Sequence, residues 1–358
     1  MAIMTSVNVA PPEASATSIP EERKQMIFGL NLPNYSSLGH RDAVTAIAER
    51  ADELGYASLW TSDHVLLPET LPEPYGNLLE SFTTLSYLAA RTRRIGLATG
   101  ILVLPQRDPL LAAKQAATIH HLSGGRLTLG VGVGWIEQEY GYLRSDFHAR
   151  GHIADEYIPA MRTLFEAERP EFQGPRINYS DVLFSPKPSP RLPIVVGGTS
   201  RAALKRAATL GDGWHGIYRT PEEVAAAIAV MDPYGLKSDF RVSLRAKMRI
   251  GEVAGDTGDG SAMHGSPADI AERVRRYSDA GVDQLVLEPG ATELDDFMDQ
   301  MTRFAAEVAA RFPKAQSPRT GLDVYPDLSP KARQPWRSAL PPEPARRLLQ
   351  HGQDSTPW

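Results

Sequence analysis

The chain predicts an α/β fold of the (β/α)8 TIM-barrel class, and three observations carry that prediction. Short apolar runs alternate with amphipathic helical patterns across residues 25–312. The alternation repeats eight times in about 290 residues, the size and unit number such a barrel needs. Several of the apolar runs have no polar face, as parallel strands covered by helices require. A doubly wound open sheet also alternates strands and helices, but it rarely needs eight such units.

The elements follow in order. QMIFGLNL is the first strand and RDAVTAIAERADELG the first helix. In that helix Val44, Ile47, Ala51 and Leu54 share one face, and Gly55 suits its end. YASLW is the second strand and LLESFTTLSYLAART its helix. RIGLATGILV is the third, followed by DPLLAAKQAATIHHLSGG, which opens on an aspartate suited to cap a helix. RLTLGVGVG is the fourth strand and IADEYIPAMRTLFEAE its helix. Residues 170–191 break the rhythm and read as a hairpin or irregular insertion before the fifth strand. PIVVGG, GWHGI, FRVSLRAKMRI and QLVLEP are the last four strands, each followed by a helical pattern. Residues 1–24 are small, polar and proline-containing, and are expected to be disordered. Residues 313–358 carry too many prolines for packed elements and are expected to form a mostly irregular tail.

Composition narrows the function classes. A formal net charge of −5 gives no electrostatic case for nucleic acid or an anionic membrane as partner. The absence of cysteine excludes disulfides, thiolate metal sites and cysteine nucleophiles. No apolar run approaches the length of a membrane span. The N-terminal segment lacks a basic start followed by an apolar core, so a cytoplasmic, soluble protein is expected.

In a barrel of this class the site forms at strand C-termini and the loops after them. Polar residues and glycines collect there: Asn31 after the first strand, Asp63 and His64 after the second, and Thr99 after the third. His64 can serve as acid or base, because imidazole titrates near neutrality. Asp63 could orient it or bind a polar ring group; the plainer alternative is a loop cap beside an ordinary loop histidine. Gly197, Gly198 and Thr199 stand between a strand and a helix, whose N-terminus suits a phosphate; the plainer alternative is a tight turn. His215, near the end of the sixth strand, is a candidate for the substrate pocket. His120 and His121 fall in a helix and read as packing or surface residues. His148 and His152 have the spacing of metal ligands, but no third ligand of recognisable spacing accompanies them, and no metal site is expected.

LTLGVGVGWIEQEY carries Gly130, Gly132 and Gly134 as G-x-G-x-G. The dinucleotide fingerprint is G-x-G-x-x-G, so that function fails on spacing. Period two puts the three glycines on one face of an extended strand. The expectation is a face cleared of side chains, where a flat ring can approach, with Trp135 at its edge.

FGLNLPNY, ADELGYASLWTSDHVLLP, the stretch from RIGLATGILVLP to GVGWIEQEY, and PIVVGGTSRAALKRAATLGDGWHG occur in an order that resembles the luciferase-like monooxygenase superfamily, in particular its coenzyme F420-dependent oxidoreductases. The resemblance covers most of residues 26–216 and extends further in rhythm only. It implies a TIM barrel with an insertion before strand five and a flavin-type cofactor in its mouth. Asp63 and His64 would lie near the ring, with His64 handling the proton. Thr99, Gly100 and Ile101 match a bulge that backs the ring, often with a non-prolyl cis peptide. Gly132 and Gly134 match the fourth-strand glycines, and Gly197, Gly198 and Thr199 the phosphate turn. One departure stands out: some deazaflavin dehydrogenases carry a proton-donating glutamate directly after the fourth-strand glycines, where this chain has Trp135. Glu139 follows four residues later and joins Trp135 and His215 as candidate pocket residues. The expected activity is hydride transfer between coenzyme F420 and a small organic substrate. The alternatives are an FMN-dependent monooxygenase fed by a separate flavin reductase, and a non-catalytic cofactor-binding barrel. The resemblance also implies a homodimer.

Overall fold

A computed structural model describes residues 25–71, 75–251 and 260–313. The expected disorder of residues 1–24 and the tail beyond Pro313 lie outside the described residues. β1 (Ile27–Leu32) leads to α1 (Arg41–Leu54), and β2 (Ser58–Thr61) to α2 (Ser81–Arg91). β3 (Gly96–Thr99) and its continuation β4 (Leu102–Val103) lead to α3 (Pro109–Leu122). β5 (Leu127–Gly132) is followed by α4 (Glu137–Tyr142) and α5 (Arg150–Glu166), then by the pair β6 (Phe172–Gln173) and β7 (Asn178–Tyr179). β8 (Ile194–Gly197) leads to α6 (Arg201–Leu210), and β9 (Gly213–Ile217) to α7 (Pro221–Met231). β10 (Arg241–Ile250) and β11 (Met263–Gly265) precede α8 (Pro267–Asp279), and β12 (Gln284–Pro289) precedes α9 (Leu294–Arg303).

The strands β1, β2, β3, β5, β8, β9, β10 and β12 pair in parallel in that order, and β12 returns to pair with β1. The sheet is therefore a closed eight-stranded (β/α)8 barrel, as the alternation predicted. β6 and β7 pair antiparallel, which is the hairpin expected in the insertion before the fifth barrel strand.

Local chemistry explains the element ends. Gly55 closes α1 in the left-handed conformation, with φ of 81°. The Asp108 carboxylate accepts from Leu110 N and Leu111 N and starts α3. Thr220 and Ser266 form capping boxes at the starts of α7 and α8.

Strand faces divide the core. Leu30, Leu59, Leu97 and Leu129 are fully buried in the layer between barrel and helices, each such burial contributing about 1.5–3 kcal/mol. Trp60, Ala98, Val195 and Val286 form a second apolar cluster of their own.

The third strand is interrupted at a cis Gly100–Ile101 peptide, the non-prolyl cis bond that the resemblance implied for the bulge at Thr99, Gly100 and Ile101. Two readings need correction. The fourth barrel strand stops at Gly132, because Gly134 turns to φ of 61°. The short helix α4 was not anticipated; its first turn holds Glu137 and Glu139.

Candidate active site at the barrel mouth

The C-terminal ends of the barrel strands bring two polar clusters together. The first is built on β2 and α4. His64 Nδ1 lies 3.0 Å from Glu139 Oε2. The other oxygen of Glu139 accepts from Val65 N at 2.6 Å and Leu66 N at 3.2 Å. Glu139 is 1% exposed. Burial pushes its carboxyl up, but the hydrogen bonds from His64 and Val65 outweigh burial and hold it below its ordinary value. It is therefore a carboxylate that accepts the Nδ1–H of His64 and leaves Nε2 free to give or take a proton. This corrects the reading of Glu139 as a pocket-wall residue. It stands behind His64, buried and fully engaged.

Asp63 does not orient His64. Its carboxylate takes two N–H groups from Arg107, at 2.8 and 2.7 Å, and one from Val103 N at 2.8 Å. Burial raises its carboxyl above the ordinary value, against the pull of the Arg107 guanidinium. Its place is structural: it ties the end of β2 to the backbone after the cis peptide.

The glycine face of β5 is also corrected. It is cleared, but protein fills it. A Cβ on Gly130 would stand 1.9 Å from the Thr99 carbonyl oxygen. One on Gly132 would stand 2.5 Å from Ile101 Cδ1, and one on Gly134 2.7 Å from Val103 Cγ1. Gly197 is likewise closed to a side chain by Ile101 Cγ2 at 2.7 Å. The glycines let the β3–β4 segment press against β5 and β8, and Ile101 occupies the notch. Thr99 Oγ1 donates to the Gly130 carbonyl across that seam.

Below the seam, His215 stacks on Trp60 with centroids 4.4 Å apart and an interplanar angle of 11°. Its Nδ1 is 2.9 Å from Ser243 Oγ. Burial pushes this imidazole down to about 3, so it is neutral. A Cβ on Gly100 would meet Trp60 at 3.1 Å, so the absent side chain lets the chain pass close over this stack. Trp135 is 61% exposed and stands edge-on to His64, at 6.4 Å, on the rim. Tyr75 contacts His64 from another direction, at 5.4 Å. A cavity of about 400 Å³ opens beside them, lined by His64, Leu66, Leu71, Tyr75 and Leu78.

The second cluster was missed by the sequence reading. Arg245 on β10 is 3% exposed and reaches Glu288 on β12, Tyr35 after β1 and Ser62 after β2. Tyr218 also donates to Glu288. The signal was weak, because Arg245 shares its face of β10 with Arg241, Ser243, Lys247 and Arg249; only the alternation with outward Leu244, and of Glu288 with outward Leu287, places the pair on the inner face. Asn31 joins this cluster through Tyr35, and its Oδ1 is buried without a partner.

The residues present fit a flavin-type cofactor on two observations. The orphaned Asn31 Oδ1 calls for a ligand donor. The turn Gly198–Thr199–Ser200 is exposed ahead of α6, with Gly198 at φ of 112° and its carbonyl fixed by Trp214 Nε1 at 2.8 Å. Ser200 Oγ takes the N–H of Ala203 at 3.2 Å, so the phosphate would be met by the N–H groups of the turn and the first positions of α6.

A closed parallel barrel with ionisable side chains gathered at its strand C-termini defines a (β/α)8-barrel enzyme. Residues 26–252 match the luciferase-like monooxygenase family, and the chain belongs to it. An uncharacterised protein of Mycobacterium tuberculosis is 33% identical over 196 residues, covering 51% of this chain and 68% of that one. The monooxygenase RslO1 of Streptomyces bottropensis superposes with a TM-score of 0.70 at 22% identity, over 80% of this chain and 99% of that one. An F420-dependent secondary alcohol dehydrogenase does so with a TM-score of 0.68 at 16% identity, over 80% and 99%. Among the described residues no helix is long and apolar enough to cross a membrane, and no three His, Asp or Glu side chains group as metal ligands.

Proposed function

We propose that this chain is a deazaflavin-dependent oxidoreductase that transfers hydride between coenzyme F420 and a small organic substrate. The observation that carries the reading is the His64–Glu139 pair, 3.0 Å apart at the mouth. When bound, a deazaflavin supplies two-electron hydride chemistry. Reducing a carbonyl that way also requires a proton, and His64 Nε2 is the group at the mouth that can hold one. Glu139 fixes the tautomer and supports the charged imidazole. Asn31 and the Gly198–Thr199 turn would hold ring and phosphate. The rim of His64, Tyr75 and Trp135 would orient the substrate and exclude water.

Membership of a family described as luciferase-like monooxygenases supports a second reading, an FMN-dependent monooxygenase receiving reduced flavin from a separate reductase. Fluorescence titration with coenzyme F420 and with FMN separates the two. Binding of F420, with turnover insensitive to oxygen and strongly reduced in His64→Gln, supports the first reading. Binding of FMN alone, or product formation that needs oxygen, overturns it.

A further inference from the structure

The second cluster decides which atom of Asn31 faces the barrel interior. Asn31 is 1% exposed and follows Gly29 by two positions, on the strand face where a Gly29 Cβ would meet Ser58 and Gln284. Its Nδ2 is 3.1 Å from the Tyr35 hydroxyl, and its Oδ1 has no partner.

That orientation follows from the hydrogens available. A phenol has one proton to give. The Tyr35 hydroxyl is 3.3 Å from Glu288 Oε1, and an ionised carboxylate only accepts. The phenol proton therefore goes to Glu288. The Tyr35 oxygen already accepts from Arg245 Nη2 at 2.6 Å. It can take another donor, but it has no proton left for a carbonyl. Only the amide NH2 of Asn31 can face it.

The charges that enforce this are themselves held. Arg245 Nε donates to Glu288 Oε2 at 2.8 Å, and Nη1 to Ser62 Oγ at 3.2 Å. Burial pushes the Glu288 carboxyl up, but Arg245, together with Tyr218 and Lys247, more than offsets it and keeps Glu288 ionised. Burial raises the Tyr35 phenol to about 12, so it keeps its proton.

We infer that Arg245, Glu288 and Tyr35 are positioning residues that lock Asn31 as an acceptor, so that the site selects a ligand presenting an N–H or O–H donor there. This rests on the cofactor reading above, because the pyrimidine edge of a flavin or deazaflavin ring carries one such N–H. A ring methylated on that nitrogen would leave Oδ1 buried and unpaired.

The test titrates the protein with F420, FMN and their N3-methylated forms, following ring fluorescence. The wild type should bind whichever cofactor it accepts roughly 10-fold or more tighter than its methylated form, the cost of one unpaired buried acceptor. Tyr35→Phe keeps the ring in place but removes the lock, so Asn31 can turn. Discrimination should then fall several-fold, whereas purely steric exclusion of the methyl group would leave it unchanged. Circular dichroism confirms that the variant is folded. Equal affinity of the wild type for methylated and unmethylated rings, or unchanged discrimination in folded Tyr35→Phe, overturns this inference and leaves the proposed function standing. Binding of no ring overturns both.

Discussion

Replacing Glu139 by glutamine separates the two tasks assigned to that side chain. A glutamine carbonyl can still accept from Val65 N and Leu66 N, which Glu139 Oε1 now meets at 2.6 and 3.2 Å. The amide NH2 then occupies the place of Oε2, 3.0 Å from His64 Nδ1. It donates where the carboxylate accepted. The neutral imidazole must use Nδ1 as acceptor and carry its proton on Nε2, so Nε2 can no longer take a proton from substrate. Hydrogen bonds to a charge are worth about 1.5–3 kcal/mol against 0.5–1.5 for neutral ones, so the stability loss is about 1–3 kcal/mol. The loss in kcat, if His64 is the proton-handling group, is roughly 100-fold or more. Urea unfolding measures the first and steady-state turnover at saturating cofactor the second. The pH dependence has a definite sign. Glu139 is held below its ordinary value of 4.5, so its contribution is complete above that value and fades as pH falls through the lower folded one. The stability gap between wild type and Glu139→Gln should close in acid as the carboxylate is protonated. A folded Glu139→Gln variant with turnover within about twofold of wild type would refute the proton-handling role of the pair. A gap that persists undiminished in acid, below the folded value of Glu139, would refute the electrostatic argument.

Four further outcomes are expected. Gly130→Ala, whose Cβ would stand 1.9 Å from the Thr99 carbonyl oxygen, should lose about 3 kcal/mol or more in urea unfolding. Gly141→Ala, with nothing within 4 Å in helix α4, should lose nothing or gain up to about 1 kcal/mol. Asp63→Asn weakens a buried pair with Arg107 and should cost about 2–4 kcal/mol; adding Arg107→Gln should cost much less than the sum, and strict additivity would deny the coupling. Burial lowers His215 from 6.5 to about 3, so the unfolded chain binds its proton first, and stability should fall as pH drops below 6.5. That slope, up to about 1.4 kcal/mol per pH unit, should flatten in His215→Gln; an equal slope in both proteins would deny the assignment.

Much of this molecule was legible in its sequence because barrel strands and covering helices obey short periods. Apolar runs broken by Gly55 and Asp108 set element type and ends through capping chemistry that acts within a few residues. The rule that function gathers at strand C-termini then pointed to Asn31, His64 and the Gly198 turn. What period and spacing do not carry is which groups meet across the mouth. His64 finds Glu139, 75 positions away, rather than its neighbour Asp63, which turns to Arg107. Tyr35, Arg245 and Glu288 meet only because β12 closes the sheet between β10 and β1. The glycines of β5 show the division most plainly. Their spacing alone determines that one strand face lacks side chains. Only barrel closure decides that Ile101 and the Thr99 carbonyl fill that face, because what enters a cleared space depends on the neighbouring strand's path.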